Sequence, residues 1–280
     1  MTRPRSIALL LLYLFTAVSI AGYASFGRHP EWLASQGPAA ITIYAVSFRF
    51  FAIGQVILAG VTMISFLIRH ARWKWVTAFI ALYSISLACE LLGTTFGIPF
   101  GAYSYSAALN PMWLSRVPLG IPLSWFYMAV PSYAFALLLV PKAATLRRIT
   151  LGSFILLAWD LALDPAMSSA TKYWEWAEQG SYYGMPLLNL FGWYVTGVLL
   201  MGALALLRAE SWISRLPVRW LAGFYGVNLL LALGISISAG LWLSLVLTVA
   251  AFSITIVVAS IFSGRHDPIA SLDPAGHALR

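Results

Sequence analysis

Eight long apolar stretches follow one another along the chain, with short polar segments between them. Each is close to the ~20 residues that a helix needs to cross the hydrocarbon core of a bilayer. The last two form one run that is too long for a single span, and Gly234 and Gly240 mark the predicted break. The pattern predicts an all-α, polytopic transmembrane helix bundle of eight helices, with seven as the alternative. The stretches are residues 6–26, 40–68, 75–97, 121–140, 149–167, 185–207, 220–237 and 240–262.

The composition leaves almost no room for a soluble part. Charged residues make up 9% of the chain, against about 25% in soluble domains. We therefore expect residues 1–262 to form a single transmembrane helical domain. Residues 263–280 are polar and include Pro268, Pro274 and Gly276, so a disordered tail is predicted there.

Basic residues are distributed unevenly between the connecting segments. If the N-terminus lies in the cytoplasm, the inner segments contain most of the arginines and lysines, and the outer segments contain only Arg28, Arg116 and Lys172. This asymmetry predicts that both termini are cytoplasmic. It also explains the net charge of +8 without nucleic acid as a partner. The inner residues are Arg3, Arg5, Arg69, Arg72, Lys74, Lys142, Arg147, Arg148, Arg208, Arg215, Arg219, Arg265 and Arg280.

Three carboxylates interrupt the apolar helices, namely Glu90, Asp160 and Asp164. An ionisable side chain is costly in lipid, so an acid retained there indicates a functional site. The two aspartates are four residues apart, which places both carboxyl groups on one face of a helix. At a rise of ~1.5 Å per residue, Glu90 and Asp160 lie roughly 10 Å inside the outer ends of their helices. Asp164 lies one turn nearer the surface.

Arg49 is predicted to lie at the same depth as these acids, so an ion pair or a network of charges is the economical arrangement. One alternative is that Arg49 and one carboxylate only lock two helices together. A single cation cannot neutralise three acids, however. At least one acid is therefore expected to keep its proton and to be able to donate it in an apolar pocket.

The two long outer loops, residues 98–120 and 168–184, are rich in aromatic residues, glycine and proline. An ordinary interfacial aromatic belt would account for many of them. Their concentration on one side of the membrane also suggests a lid or an entrance for an apolar ligand. The aromatic residues include Phe100, Tyr103, Tyr105, Trp113, Tyr173, Trp174, Trp176, Tyr182 and Tyr183.

Several kinds of chemistry lack the residues that they need. The four histidines and three lysines all fall in loops or in the tail, so no helix offers a haem ligand, a di-iron ligand or a retinal lysine. The single cysteine, Cys89, excludes a disulfide within the chain. No glycine-rich phosphate loop and no nucleophile elbow is present. We expect no metal and no cofactor, and acid–base chemistry on an apolar substrate remains.

Two other functions fit some of these features. Intramembrane acids also occur in proton-coupled transporters, although the sequence shows no repeated halves. The Asp160–Asp164 spacing is similar to that of membrane prenyltransferases, which bind a diphosphate through Mg²⁺. Such enzymes need a second acidic motif, and Glu90 stands alone on its helix.

Residues 90–193 resemble one family of membrane proteins, in three stretches whose order and joint presence are more specific than each motif alone. They are similar to the carotenoid biosynthesis proteins of the carotenoid 1′,2′-hydratase type, the group of bisanhydrobacterioruberin and γ-carotene hydratases. Leu109-Asn110-Pro111 departs from the Leu-Gly pair expected after Tyr105, which bears on substrate fit. The stretches begin with Glu90-Leu-Leu-Gly93, Val117-Pro118 and Trp159-Asp160-Leu161-Ala162-Leu163-Asp164-Pro165 and end with Tyr103-Ser104-Tyr105, Trp125-Phe126-Tyr127-Met128 and Asn189-Leu190-Phe191-Gly192-Trp193.

The resemblance implies an enzyme that adds water across the terminal C1=C2 double bond of an acyclic carotenoid end, without a cofactor. It implies an acyclic or monocyclic carotenoid, such as lycopene or γ-carotene, as substrate. The lipid bilayer and other enzymes of the carotenoid pathway are the expected partners. The expected location is the cytoplasmic membrane of a prokaryote, with the site toward the outer leaflet. A non-catalytic carotenoid-binding subunit is the alternative within this pathway.

Under this interpretation, Asp160 or Asp164 is the candidate acid, and the partner aspartate or Glu90 would hold and deprotonate the water. Tryptophan rings can stabilise a carbocation through their π faces, although packing explains a single tryptophan equally well. Asn189 would bind the water or a carboxyl group, or would join two helices. The candidate substrate-binding residues are Trp125, Trp159, Trp174, Trp176, Asn189, Trp193, Tyr105 and Arg49.

Overall fold

The computed structural model of the protein describes residues 4–141 and 144–264, and these residues form a helical bundle. The helices are α1 (Pro4–Gly22), α2 (Pro30–Ser35), α3 (Pro38–Ala71), α4 (Lys74–Phe96), α5 (Gly120–Leu139), α6 (Thr145–Asp164), α7 (Leu188–Leu206), α8 (Glu210–Ile213), α9 (Val218–Ser238) and α10 (Trp242–Gly264). Single π-helical segments, Tyr23–Gly27 and Pro165–Ala170, extend α1 and α6. Four short strands lie in the loops: β1 (Tyr103–Tyr105), β2 (Met112–Trp113), β3 (Val117–Pro118) and β4 (Trp174–Trp176).

Eight helical segments in the described part of the chain are long and apolar enough to cross a membrane. This confirms the predicted all-α transmembrane bundle, and α2 and α8 are short connecting helices. The cytoplasmic orientation of the termini stays a prediction. Most of the predicted disordered tail, residues 265–280, lies outside the described residues, and α10 continues to Gly264.

The two aromatic loops lie at one end of the bundle, which we term the loop end, and they pair through a short antiparallel ribbon. In β1 and β4, Tyr103 stands opposite Trp176 and Tyr105 stands opposite Trp174. Alternate residues of a strand point to the same side. These four rings therefore share one face of the ribbon, while Ser104 and Glu175 are exposed on the other.

Helix α6 carries both aspartates and occupies the centre of the bundle, in contact with α5, α7, α9 and α10. Small residues permit this close packing: a Cβ atom added to Gly197 of α7 would lie 3.1 Å from the Cβ of Ser153. Asp160 and Asp164 are both buried as a result, with relative exposures of 0% and 2%. The fold thus keeps these acids away from lipid.

Gly192 of α7 fixes the position of the first aromatic loop. A Cβ atom there would lie 2.5 Å from Cδ1 of Phe100 and 2.8 Å from the carbonyl oxygen of Pro99. We expect Gly192→Ala to destabilise the protein by about 1–3 kcal/mol, the usual cost of overpacking. Thermal unfolding in detergent would measure the loss.

Gly202→Ala on the same helix is the matched control, because no heavy atom lies within 4 Å of its added Cβ. It should be neutral or slightly stabilising, since alanine favours helix more than glycine. Equal melting temperatures for the two variants would contradict the close contact at Gly192.

Candidate active site

A small pocket of about 30 Å³ lies at the loop end, and two of the three intramembrane acids line it. We term it the acid pocket. Its volume is sufficient for a water molecule, which needs roughly 10–15 Å³ of such space. The lining residues are Glu90, Phe100, Tyr103, Tyr105, Ile121, Ser124, Trp125, Leu163, Asp164, Trp174, Trp176, Asn189 and Trp193.

Glu90 of α4 is held by three hydrogen-bond donors from other elements. Its Oε2 accepts hydrogen bonds from the hydroxyl of Tyr103 and, at 2.8 Å, from that of Tyr105. Its Oε1 accepts one from Nε1 of Trp125, also at 2.8 Å. The side chain is therefore fixed in orientation, and its oxygens act as acceptors.

The two tyrosines of β1 keep their protons under ordinary conditions. Burial, together with the nearby charge of Glu90, raises the pKa of Tyr103 and of Tyr105 well above the ordinary value. Both hydroxyls therefore remain donors to Glu90.

Asp164 receives four donors, two at each oxygen. Its Oδ1 accepts hydrogen bonds from Oγ of Ser168 at 2.8 Å and from Nε1 of Trp176 at 3.2 Å. Its Oδ2 accepts them from Nε1 of Trp174 at 3.3 Å and from Nδ2 of Asn189 at 3.2 Å. Ser168 can reach this carboxyl because the π-helical segment continues α6 past Pro165. The donors favour a negative charge on Asp164.

Asp160 has much poorer hydrogen bonding than Asp164. Its Oδ2 accepts a bond from Nδ2 of Asn189 at 3.3 Å, and its Oδ1 has no partner among the described residues. Burial of an ionised carboxylate with an unpaired oxygen costs more than burial of a protonated carboxylic acid. Since Asn189 also contacts Asp164, its amide links the two aspartates.

A larger apolar cavity of about 600 Å³ adjoins the acid pocket. Its walls come mainly from α1, α3, α5, α6 and α9, and Trp159 is part of them. Ile121, Ser124, Leu163 and Trp174 line both spaces. A volume of this size is typical of a small-molecule site, for which ~300–1,000 Å³ is usual. The cavity is therefore large enough for a small apolar ligand, and part of its wall is also the wall of the acid pocket.

The structure brings most of the predicted site residues together, although their roles remain predictions. Asp160 is hydrogen-bonded to Asn189, which lines the acid pocket. Trp159 lies in the wall of the apolar cavity. The rings of Trp125 and Trp193 stack with centroids 4.0 Å apart. The predicted residues that line the acid pocket are Glu90, Asp164, Tyr105, Trp125, Trp174, Trp176, Asn189 and Trp193.

The predicted ion pair of Arg49 with the acids is wrong. The Arg49 side chain is exposed and forms no ion pair with any residue that the structure describes. It lies on the outward face of α3 together with Val46 and Phe50, which are 66% and 61% exposed. The buried face of that helix carries Gln55 and Ala59 instead. A shared depth on two helices does not fix which of their faces meet.

Arg49→Ala is therefore expected to leave the melting temperature and the folded yield close to those of the wild type. Arg148→Ala is the contrasting variant, because Arg148 pairs with Glu210 at 3.2 Å and donates to the carbonyl of Val140 at 3.4 Å. Thermal unfolding of both proteins in the same detergent would test this. A large loss for Arg49→Ala would restore a structural role for its charge.

Tyr103 and Ser168 contact the acids but were not among the predicted site residues. Tyr103 follows the same alternation as Tyr105, and two aromatic residues two positions apart on a strand face one side. Ser168 is four residues beyond Asp164, so it extends the helical spacing of the aspartates. Both sequence patterns are short. The first depends on strand β1 and the second on the π-helical segment after Asp164, and neither element was predicted.

Comparison with known proteins identifies a family that this chain matches. Residues 51–255 match the model of a family described as carotenoid biosynthesis protein. A bisanhydrobacterioruberin hydratase from Haloarcula japonica is 32% identical over 163 residues, which are 57% of this chain and 53% of that protein. The match thus spans about half of the relative's length. No solved structure matches significantly. Since the family match covers most of the chain, this integral membrane protein belongs to the carotenoid biosynthesis protein family.

Proposed function

We propose that this protein adds water to the terminal C1=C2 double bond of an acyclic carotenoid end. The observation that carries the proposal is the contact between the apolar cavity and the acid pocket through four shared wall residues. The cavity would hold part of a polyene chain, and its end group would meet Asp164 and Glu90. The relative with 32% identity is itself named as a hydratase.

Asp164 is the proposed proton donor, because it lines the acid pocket and Asp160 does not belong to that lining. The π electrons of C1=C2 take the proton at C2, and a tertiary cation remains at C1. The four donors around Asp164 stabilise the carboxylate that is left after the transfer. Asp160 would hold the proton between turnovers and return it to Asp164.

The tryptophans of the acid pocket would stabilise the cation. Their rings surround the place where C1 would lie, and a cation over such a ring gains up to ~2 kcal/mol when water is excluded. Trp125 and Trp193 form a stacked pair there. Trp174 faces both the cavity and the acid pocket.

Glu90 is the proposed base. It would hold a water molecule in the acid pocket, whose volume of about 30 Å³ suits one. The water oxygen bonds to C1 and one of its protons passes to Glu90, which yields a tertiary alcohol. The proton on Glu90 then returns to the aspartate pair through a water in the pocket, so the net reaction consumes one water.

The direct test is co-expression with the enzymes that make lycopene or γ-carotene in a bacterium. We expect a pigment heavier by one water, which mass spectrometry would detect, with the reactivity of a tertiary alcohol. Unchanged pigment in cells whose membranes contain the folded protein would contradict the proposal. It would favour a carotenoid-binding subunit or a transporter instead.

The proposed orientation places the acid pocket toward the outer leaflet of a prokaryotic cytoplasmic membrane. Its support is the arrangement of basic residues: Arg69, Arg147 and Arg208 lie at the end of the bundle opposite the loop end. Labelling of single cysteines at Ser104 and Ser211 from outside intact cells would test it. Ser104 should react and Ser211 should not.

A further inference from the structure

Several polar side chains line the apolar cavity, and two that take no part in the mechanism above are almost fully buried. These two are Tyr127 of α5 and Asn228 of α9, and each is only 3% exposed. If the cavity held only hydrocarbon, any unpaired polar atoms of these side chains would be buried without a partner, which costs free energy.

Both side chains have a polar atom without a protein partner. The hydroxyl of Tyr127 forms no hydrogen bond among the described residues. Unlike the hydroxyl of Tyr133, which is fully buried without a partner, it is accessible from a space in the protein. The Nδ2 of Asn228 donates to the carbonyl of Phe224 at 2.9 Å, and its Oδ1 accepts no bond within the described chain. These two oxygens therefore face the cavity that the residues line.

Tyr127 and Asn228 both contact Phe224. The ring of Tyr127 packs on the ring of Phe224 with centroids 5.6 Å apart, and Asn228 is one helical turn away on the same face. On α5, Tyr127 lies one turn from Ser124, which lines both the cavity and the acid pocket. The pair is thus close to where a carotenoid end would react.

A hydroxyl group matches this pair, because it accepts a hydrogen bond from Tyr127 and donates one to Asn228. We propose that Tyr127 and Asn228 form a binding site for one hydroxyl group, and that this group is the tertiary alcohol of the hydrated carotenoid end. The identity of the alcohol rests on the proposed function. An unhydrated end would leave both atoms unpaired, so the site distinguishes product from substrate and holds the alcohol away from the acids that formed it.

The test compares two ligands on the protein in lipid nanodiscs. Lycopene and its singly hydrated derivative are titrated separately, and quenching of tryptophan fluorescence reports binding. Tyr127→Phe should weaken binding of the alcohol roughly 2- to 12-fold, as loss of one neutral hydrogen bond does, and should leave the affinity for lycopene unchanged. Asn228→Leu should act in the same direction. Tyr133→Phe, the same change on the same helix away from the cavity, should alter neither affinity.

Equal affinities of wild type and Tyr127→Phe for the alcohol, with an equal hydration rate, would overturn the site. Equal weakening for both carotenoids would also overturn it, because that result indicates a packing role. If Tyr127→Phe bound both ligands as the wild type does but hydrated lycopene more slowly, the proposal would also be overturned. The pair would then bind the reacting water and not the alcohol. A wild type that prefers the alcohol but hydrates nothing would contradict only the proposed function.

Discussion

Asp164→Asn is expected to lower the rate of carotenoid hydration by at least about 100-fold, the lower range of what a general acid contributes. An amide cannot deliver a proton to C2. The substitution keeps the size of the side chain, and its oxygen can still accept from some of the four donors. The protein should therefore remain folded, so the loss would lie in the chemical step.

The measurement is the amount of hydrated pigment per amount of folded protein in the membrane, with the elution profile in detergent as the check on folding. Glu175→Gln is the matched control, because Glu175 lies on β4 between the two tryptophans that contact Asp164, yet it is exposed. It should hydrate as well as the wild type. Comparable turnover by Asp164→Asn would remove this residue from the role of acid, and Asp160 would become the candidate.

Glu90→Gln should cause a loss of similar size for a different reason. Glutamine cannot take the proton that water releases when it bonds to C1. Its carbonyl oxygen can replace Oε1 opposite Trp125, and its amide can donate to the tyrosine oxygens, so the hydrogen bonds can rearrange without an unpaired group. We expect a folded protein with at least about 100-fold slower hydration.

A deuterium experiment separates the two acids. If Glu90 acts only after protonation, Glu90→Gln should still transfer a proton to C2. The cation should then return one of the two protons at C2 to the Asp164 carboxylate, which restores C1=C2 and exchanges hydrogen at that carbon. Lycopene recovered from cells grown in heavy water would then carry extra deuterium at its end group. Asp164→Asn should give none. Extra deuterium in both variants, or in neither, would contradict the division of labour between acid and base.

The membrane-spanning helices were predictable because lipid imposes a simple composition on them. A span must be apolar for ~20 residues, so its position can be read directly from the sequence. The shared face of Asp160 and Asp164 was predictable for a similar reason, since it follows from the helical repeat within one segment.

The mutual arrangement of the helices was not predictable from these rules. The depth of Arg49 was inferred from its position in the second apolar stretch, but the rotation of α3 about its axis turns this residue outward. Rotation depends on the packing of side chains against several neighbours at once, and a helix that is apolar on all faces gives no amphipathic signal for it.

The ribbon in the aromatic loops was also missed. Strands β1 and β4 have only three residues each, and 68 residues lie between the end of β1 at Tyr105 and the start of β4 at Trp174. The alternation of side chains in three residues is too short to predict a strand from the sequence. The acid pocket depends on it, because the hydrogen bonds from Tyr103 and Tyr105 to Glu90 come from one of its strands.

The same ribbon makes the two loops structurally dependent on each other, so that neither can be replaced alone. One strand supplies donors to Glu90 on α4, and the other supplies donors to Asp164 on α6. A chimera that takes only one loop from a relative would misplace the donors of both carboxylates. A chimera that keeps the donors of both carboxylates in place therefore requires that residues 97–119 and 171–187 be transplanted together.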